Sequence, residues 1–228
     1  MIPSSRPFVG RERELAELAL ALDEGCAGAG SVWLIGGEAG IGKSRLVEEV
    51  ARAAAARGAV LLDGRCWEAG GAPAFWPWVQ VLRGLRREVG AAAVAEILGA
   101  RAEALSPLLP ELAPSGAPRP PSSQDAEQAR FQVLEAAASL LVEASVRAPL
   151  VVTLEDLHAA DASSLALLEF VAREVTRARV VVLGTYRDLA TDGGPGAQHL
   201  ARVARVARHL ELGRLEREQV QALSLIHI

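Results

Sequence analysis

The 228-residue sequence predicts an α/β fold in which a parallel sheet is covered by helices on both faces. Three observations lead there. Four short apolar runs, Val32–Ile35, Ala59–Leu62, Leu150–Leu154 and Val180–Thr185, alternate with stretches of helical periodicity. Half of the residues are apolar, enough for one sizeable core. Finally, three chemically loaded segments, Gly37–Ser44, Glu155-Asp156 and Arg187, each follow an apolar run, and ligands of such sheets bind at the carboxyl ends of the strands.

In chain order, Arg11–Leu22 carries Leu15, Leu18 and Leu22 at helical spacing, and the glycines of "EGCAGAG" are expected to stop it. Val32–Ile35 reads as a buried strand, followed by a Gly-rich turn and a helix over Lys43–Arg57. Ala59–Leu62 is a second strand, leading into "DGRCWEAGGAPAFWPW". Helices follow near Val79–Val89 and Ala91–Leu98. Pro107–Pro121, rich in Pro, Ser and Gly, reads as a surface loop. A long helix over Asp125–Arg147 precedes Pro149 and the third strand. A helix over Ser163–Thr176 leads to the fourth strand, and "TDGGPG" is a loop before another helical stretch and a fifth strand near His209–Leu212.

The formal charge of −4 gives no overall electrostatic reason to bind nucleic acid or an anionic membrane. No apolar run reaches the roughly 20 residues of a membrane span, and no leader opens the chain, so a cytoplasmic protein is expected. Cys26 and Cys66 lack metal-ligand spacing and read as reduced thiols. "LSLIHI", residues 223–228, breaks the Ala/Arg/Glu-rich style before it and is read as a tail encoded by sequencing-adaptor DNA, leaving residues 1–212 as one α/β domain and 213–222 as the start of a second, cut-off one.

Gly37-Glu38-Ala39-Gly40-Ile41-Gly42-Lys43-Ser44 fits G-x-x-x-x-G-K-[ST] between strand and helix. Gly40 and Gly42 let the backbone turn successive N–H groups toward phosphate oxygens, and the following helix adds its positive end. Lys43 is expected to reach the β/γ-phosphates and the Ser44 hydroxyl to ligate Mg²⁺; the nucleotide-binding stretch runs on to Arg45. Glu155-Asp156, after four apolar residues, has the Walker B arrangement: one acid for magnesium, the next to polarise water. Arg187 ends a strand expected beside the P-loop strand, where a cation can sense a γ-phosphate; a solvated loop arginine is the bland alternative. Asp161 reads equally well as the cap of the following helix. His158 reads as structural. Trp67, Phe75, Trp76 and Trp78 either pack the loop after the second strand or form a partner-binding lip.

With these pieces in place, the chain resembles the AAA-like P-loop ATPase domain of bacterial STAND proteins, signal-transducing ATPases with numerous domains, and most of all that of large LuxR-type ATP-binding regulators and cyclase- or kinase-fused relatives. "FVGRERE", "GGEAGIGKSRL", "GRCWE", "PAFWPWVQVLR", "VVTLEDLHAADASSLALLEFVA" and "VVLGTYRD" carry the resemblance. It implies a three-layer αβα sandwich with strand order 5-1-4-3-2. Phe8, Val9, Gly10 and Arg11 would lie against the adenine. Glu155 would take the magnesium side of Walker B with Ser44, and Asp156 the water-activating side. Lys43, Asp156 and Arg187 would form the catalytic set. Ala159 stands where many relatives have tryptophan, and Arg214 where a proline is common.

The expected function is an ATP-binding, slowly hydrolysing regulatory switch, with ATP/ADP and Mg²⁺ as cofactors. Its expected partners are downstream regulatory domains, with DNA reached only through a further C-terminal domain, and self-association that depends on nucleotide. The alternative is a loader or remodelling motor acting on nucleic acid or protein. A small-molecule kinase is disfavoured by the paired acids, since activating water wastes its donor; a non-hydrolysing scaffold would follow if Asp156 were misplaced.

Overall fold

A computed structural model of the chain describes residues 10–69, 71–112, 123–187 and 197–215. Phe8, Val9, most of the loop expected over 107–121, the "TDGGPG" loop, the remainder of 213–222 and the "LSLIHI" tail lie outside the described residues. The elements run α1 (Glu12–Cys26), β1 (Ser31–Gly36), α2 (Lys43–Ala56), β2 (Val60–Arg65), α3 (Trp76–Val89), α4 (Ala91–Leu98), α5 (Ala102–Leu105), α6 (Ser123–Ala144), β3 (Leu150–Glu155), α7 (Ala162–Glu174), β4 (Val180–Thr185), α8 (Ala197–Ala204) and β5 (Arg208–Glu211).

The sheet has the order β2-β3-β4-β1-β5, with every pairing parallel. That is the implied order read from its other edge. Period-2 alternation divides each central strand between two cores. Val32 and Leu34 of β1, Val152 and Leu154 of β3, and Val180 and Val182 of β4 join α3, α4, α6 and α7 on one face. Trp33 and Ile35, Val151, and Val181 and Leu183 join α1 and α2 on the other. A strand buried on both faces has no polar alternation to show, which is why these runs read as continuous apolar blocks. No helix among the described residues is long and apolar enough to cross a membrane.

Several boundaries differ from the expectation, three of them for a reason the structure gives. Helix α1 does not stop at the first glycine: an added Cβ on Gly25 would lie 2.3 Å from Val181 Cγ2, so this glycine admits close packing on β4. The stop comes at Gly28, whose φ of +98° is the left-handed C-terminal turn. Strand β2 continues through Asp63-Gly64-Arg65, polar residues hidden from a search for apolar runs, because Thr153 Oγ1 donates to Asp63 Oδ1 at 2.7 Å across the β2–β3 pair. Helix α6 ends at Ala144 rather than Arg147, where Ser145 Oγ turns back to Val142 O at 2.6 Å. The short helix α5 was not expected.

Candidate functional site

The P-loop leaves β1 at Gly36 and enters α2 at Lys43. Gly40 (φ +75°) and Gly42 (φ +105°) take left-handed conformations although nothing lies within 4 Å of an added Cβ, so backbone conformation, not space, requires glycine there. The turn closes on its own lysine: Lys43 Nζ donates to Gly37 O at 2.7 Å and to Glu38 O at 2.8 Å. Burial and the Arg187 charge hold the Lys43 ammonium below the ordinary lysine range, with Asp156 and Glu211 pulling the other way. The first turn of α2 carries no acidic residue to neutralise its positive end. Arg45 pairs with Glu48 at 2.9 Å and Glu49 at 2.7 Å along the helix.

Glu155 ends β3, and its Oε2 accepts from Ser44 Oγ at 3.1 Å. A hydroxyl and a carboxylate meeting this way form an all-oxygen donor set of the kind magnesium takes. Asp156, next in sequence, has φ +61° and ψ +43°. Asp and Asn enter that region far more readily than Glu, which gives a conformational reason for an aspartate as the second acid. Its backbone N–H is held by Thr185 Oγ1 at 3.1 Å, at the tip of the neighbouring strand β4. Lys43, Ser44, Glu155, Asp156 and Arg187 are thus brought to the carboxyl ends of β1, β3 and β4.

Two residues at this rim were not singled out from the sequence: Arg65 is the last residue of β2 and Glu68 lies just beyond it. Arg65 pairs with Asp156 Oδ2 at 3.2 Å. Glu68 Oε1 accepts from Arg187 at 2.8 Å and lies 3.1 Å from His158 Nε2, which places His158 at the same rim. Glu68, Asp156 and His158 bring one ligand atom each within 4.8 Å of one another, but both carboxylates already carry an arginine partner. The signal lay in "GRCWE", which spacing alone does not mark as chemical.

The aromatic group divides. Trp78 is fully buried, with Nε1 donating to Ser164 O at 2.9 Å, and Phe75 is buried too, whereas Trp67 is 57% exposed. Trp67 and Trp76 wall a cavity of about 530 Å³ that also reaches Arg65, Glu68, Gln80 and Asp156. A second groove of about 380 Å³ between α6, α7 and α8 touches none of the P-loop residues. Asp161 caps α7, accepting from Ser163 N at 2.9 Å and Ser164 N at 3.0 Å. Both cysteines are free, and burial drives the Cys66 thiol up to about 12.

Arg11 is buried behind the P-loop. It donates to Gly213 O at 2.6 Å and Ile41 O at 3.4 Å, and pairs with Glu14 at 3.1 Å. Gly10, one residue earlier, donates its N–H to Glu12 at 3.1 Å. Arg214 in turn pairs with Glu38 of the P-loop at 3.1 Å. The segment before α1 and the segment after β5 therefore converge on the same loop.

Residues 7–183 match the family described as the AAA ATPase domain. An uncharacterized protein of Rhizobium meliloti (strain 1021) is 33% identical over 190 residues, covering 79% of this chain and 18% of that protein, so the chain spans less than a fifth of this relative's length. Among solved structures, the ORC2 protein of Aeropyrum pernix in ADPNP–ADP complexes is similar with a TM-score of 0.56 at 19% identity, covering 99% of this chain and 54% of that one. The ORC1 protein of Aeropyrum pernix in complex with DNA gives 0.51 at 19% identity, with 99% and 52% covered. These two likenesses bear on the fold alone.

Proposed function

The chain belongs to the AAA ATPase domain family, and we propose that it is the ATP-binding, slowly hydrolysing switch module of a larger regulator. The observation that carries this reading is the 3.1 Å bond between Ser44 and Glu155, which joins the P-loop to the tip of β3 with Asp156 next in the chain. In this reading Gly37–Arg45 cradle the phosphates, with Lys43 as the point charge. Ser44 and Glu155 hold Mg²⁺, which when bound neutralises charge on the phosphate oxygens. Asp156 accepts a proton from the attacking water, and Arg187 senses the γ-phosphate. Phe8, Val9, Gly10 and Arg11 are assigned to the adenine side, and residues 213–222 to the start of a lid. Slow turnover fits an aspartate one methylene shorter than glutamate and engaged by Arg65.

The length of the Rhizobium meliloti relative supports a module within a longer chain, and the resemblance to STAND and LuxR-type proteins favours a signalling or transcriptional output. A second reading, a loader or remodelling ATPase, is favoured by the fold likeness to ORC proteins, one of them in complex with DNA. The two are separated by measuring turnover, oligomeric state and hydrogen exchange in ATP and ADP on a chain extended through the lid. Slow turnover with different protection in the two nucleotides supports the switch. Rapid turnover in a stable ring, stimulated by DNA or a protein client, replaces it with the loader.

A further inference from the structure

Glu68 sits on the loop after β2, at one edge of the sheet, yet its carboxylate reaches past the tip of β3 to Arg187 at the tip of β4. The P-loop lies on the opposite side of β4, at β1. The Arg187 guanidinium is therefore bonded toward the β2 edge while its charge still acts on Lys43. The guanidinium is a rigid planar fork, so the Nη2 that donates to Glu68 is not at the same time offered to a phosphate on the β1 side. Glu68 and Arg187 are each 48% exposed, so their pair adds little to stability and remains easy to exchange. His158, at 3.1 Å from the same Glu68 oxygen, gives the carboxylate a partner that does not depend on Arg187.

We propose that Glu68 is a positioning residue that competes with the terminal phosphate of a bound nucleotide for Arg187, and so sets how strongly the site prefers a triphosphate to a diphosphate. The inference rests on the reading of Arg187 as the γ-phosphate sensor. ADP offers no terminal phosphate for the arginine to turn to, so Glu68 keeps it. A triphosphate has to draw Arg187 away, and the strength of the Glu68 pair is subtracted from its affinity.

The test is isothermal titration of the whole chain with a non-hydrolysable ATP analogue and with ADP, each with Mg²⁺. Glu68→Gln, which keeps shape and removes charge, is expected to tighten the analogue about two- to five-fold, the scale of an exposed ion pair, and to leave ADP unchanged. Arg187→Ala is expected to weaken the analogue and not ADP, and Glu68→Gln is expected to do nothing further in that background. Glu68→Ala, checked for an unchanged melting curve, repeats the comparison. Equal shifts for both ligands, or a Glu68→Gln effect that survives without Arg187, overturn the proposal in favour of a structural role. If Arg187→Ala weakens the analogue while Glu68→Gln has no effect, the competition alone is wrong. If Arg187→Ala leaves the ratio of the two affinities unchanged, the sensor reading itself falls, and the competition with it.

Discussion

Ser44 Oγ donates to Glu155 Oε2 at 3.1 Å across 111 positions of sequence, tying the first turn of α2 to the last residue of β3. In the proposed site both oxygens turn from each other to the metal, so Ser44 is tested by what it adds to the metal. Ser44→Ala should lower the magnesium-dependent part of ATP affinity on the order of 10- to 100-fold, the scale on which metal sites respond to loss of a supporting group, read as ATP binding over a Mg²⁺ titration. Lys43→Ala should abolish binding with or without the metal. Full magnesium-dependent affinity in the serine variant would remove Ser44 from the metal site.

Asp156→Asn should keep ATP binding and lose hydrolysis, since asparagine also tolerates the left-handed backbone of this position. Arg65→Ala should change turnover with little effect on affinity, because Arg65 touches the acid and not the P-loop. Phosphate release under saturating ATP measures both. Unchanged release in Asp156→Asn removes that residue from the chemistry.

The Lys43 ammonium is held down first by burial and then by Arg187. Between its lowered folded value and the ordinary 10.5, the folded chain binds fewer protons than the unfolded one, so this group makes stability rise with pH in that window. ATP affinity should fall over the same window, as the charge facing the phosphates is lost. Arg187→Ala should raise the lysine pKa and move that alkaline limb to higher pH, which affinity measured over a pH series would show.

Cys66 has the opposite sense. Its thiol, ordinarily at 9.0, is raised to about 12 by burial and then by the charges of Asp156 and Asp161. Its contribution is complete below pH 9.0 and is lost as pH climbs toward 12, because only the unfolded chain releases the proton in between. Iodoacetamide at pH 8 should leave Cys66 unmodified in the folded chain and modify it in denaturant. Modification of Cys66 in the folded chain at the denatured rate would contradict its burial.

Trp78→Ala should destabilise the fold by about 3–5 kcal/mol. It empties a fully buried site and removes the donor to Ser164 O. Chemical denaturation is the measure. A cost below 1 kcal/mol would mean that α3 is not anchored on α7 through this side chain.

Much of this architecture was legible because its signals are local. Val180–Thr185 reads as a strand residue for residue, since every one of its positions is buried. The P-loop is marked by glycines whose dihedrals other residues rarely adopt. Asp161 was legible as a cap through the Ser pair behind it. What stayed hidden depends on the crossing of separate loops. Arg65 and Glu68 gain their meaning only when β2 lies beside β3, and β3 beside β4. No periodicity in "GRCWE" encodes which strand tips it will face. The role of Gly25 stayed hidden for a related reason: it is set by Val181, a residue on another element.

The bond from Arg11 to Gly213 O has a mechanical reading. Arg11 also rests on Ile41 O, and Arg214 grips Glu38, so the chain leaving β5 is fastened to the back of the phosphate loop at adjacent points. A pull on the segment after Gly213 would be felt at Ile41 and Glu38 as well as at Gly36, to which Leu212 N–H is bonded at 3.0 Å. The segment after β5 and the phosphate loop are thereby expected to shift together, each acting as a lever on the other.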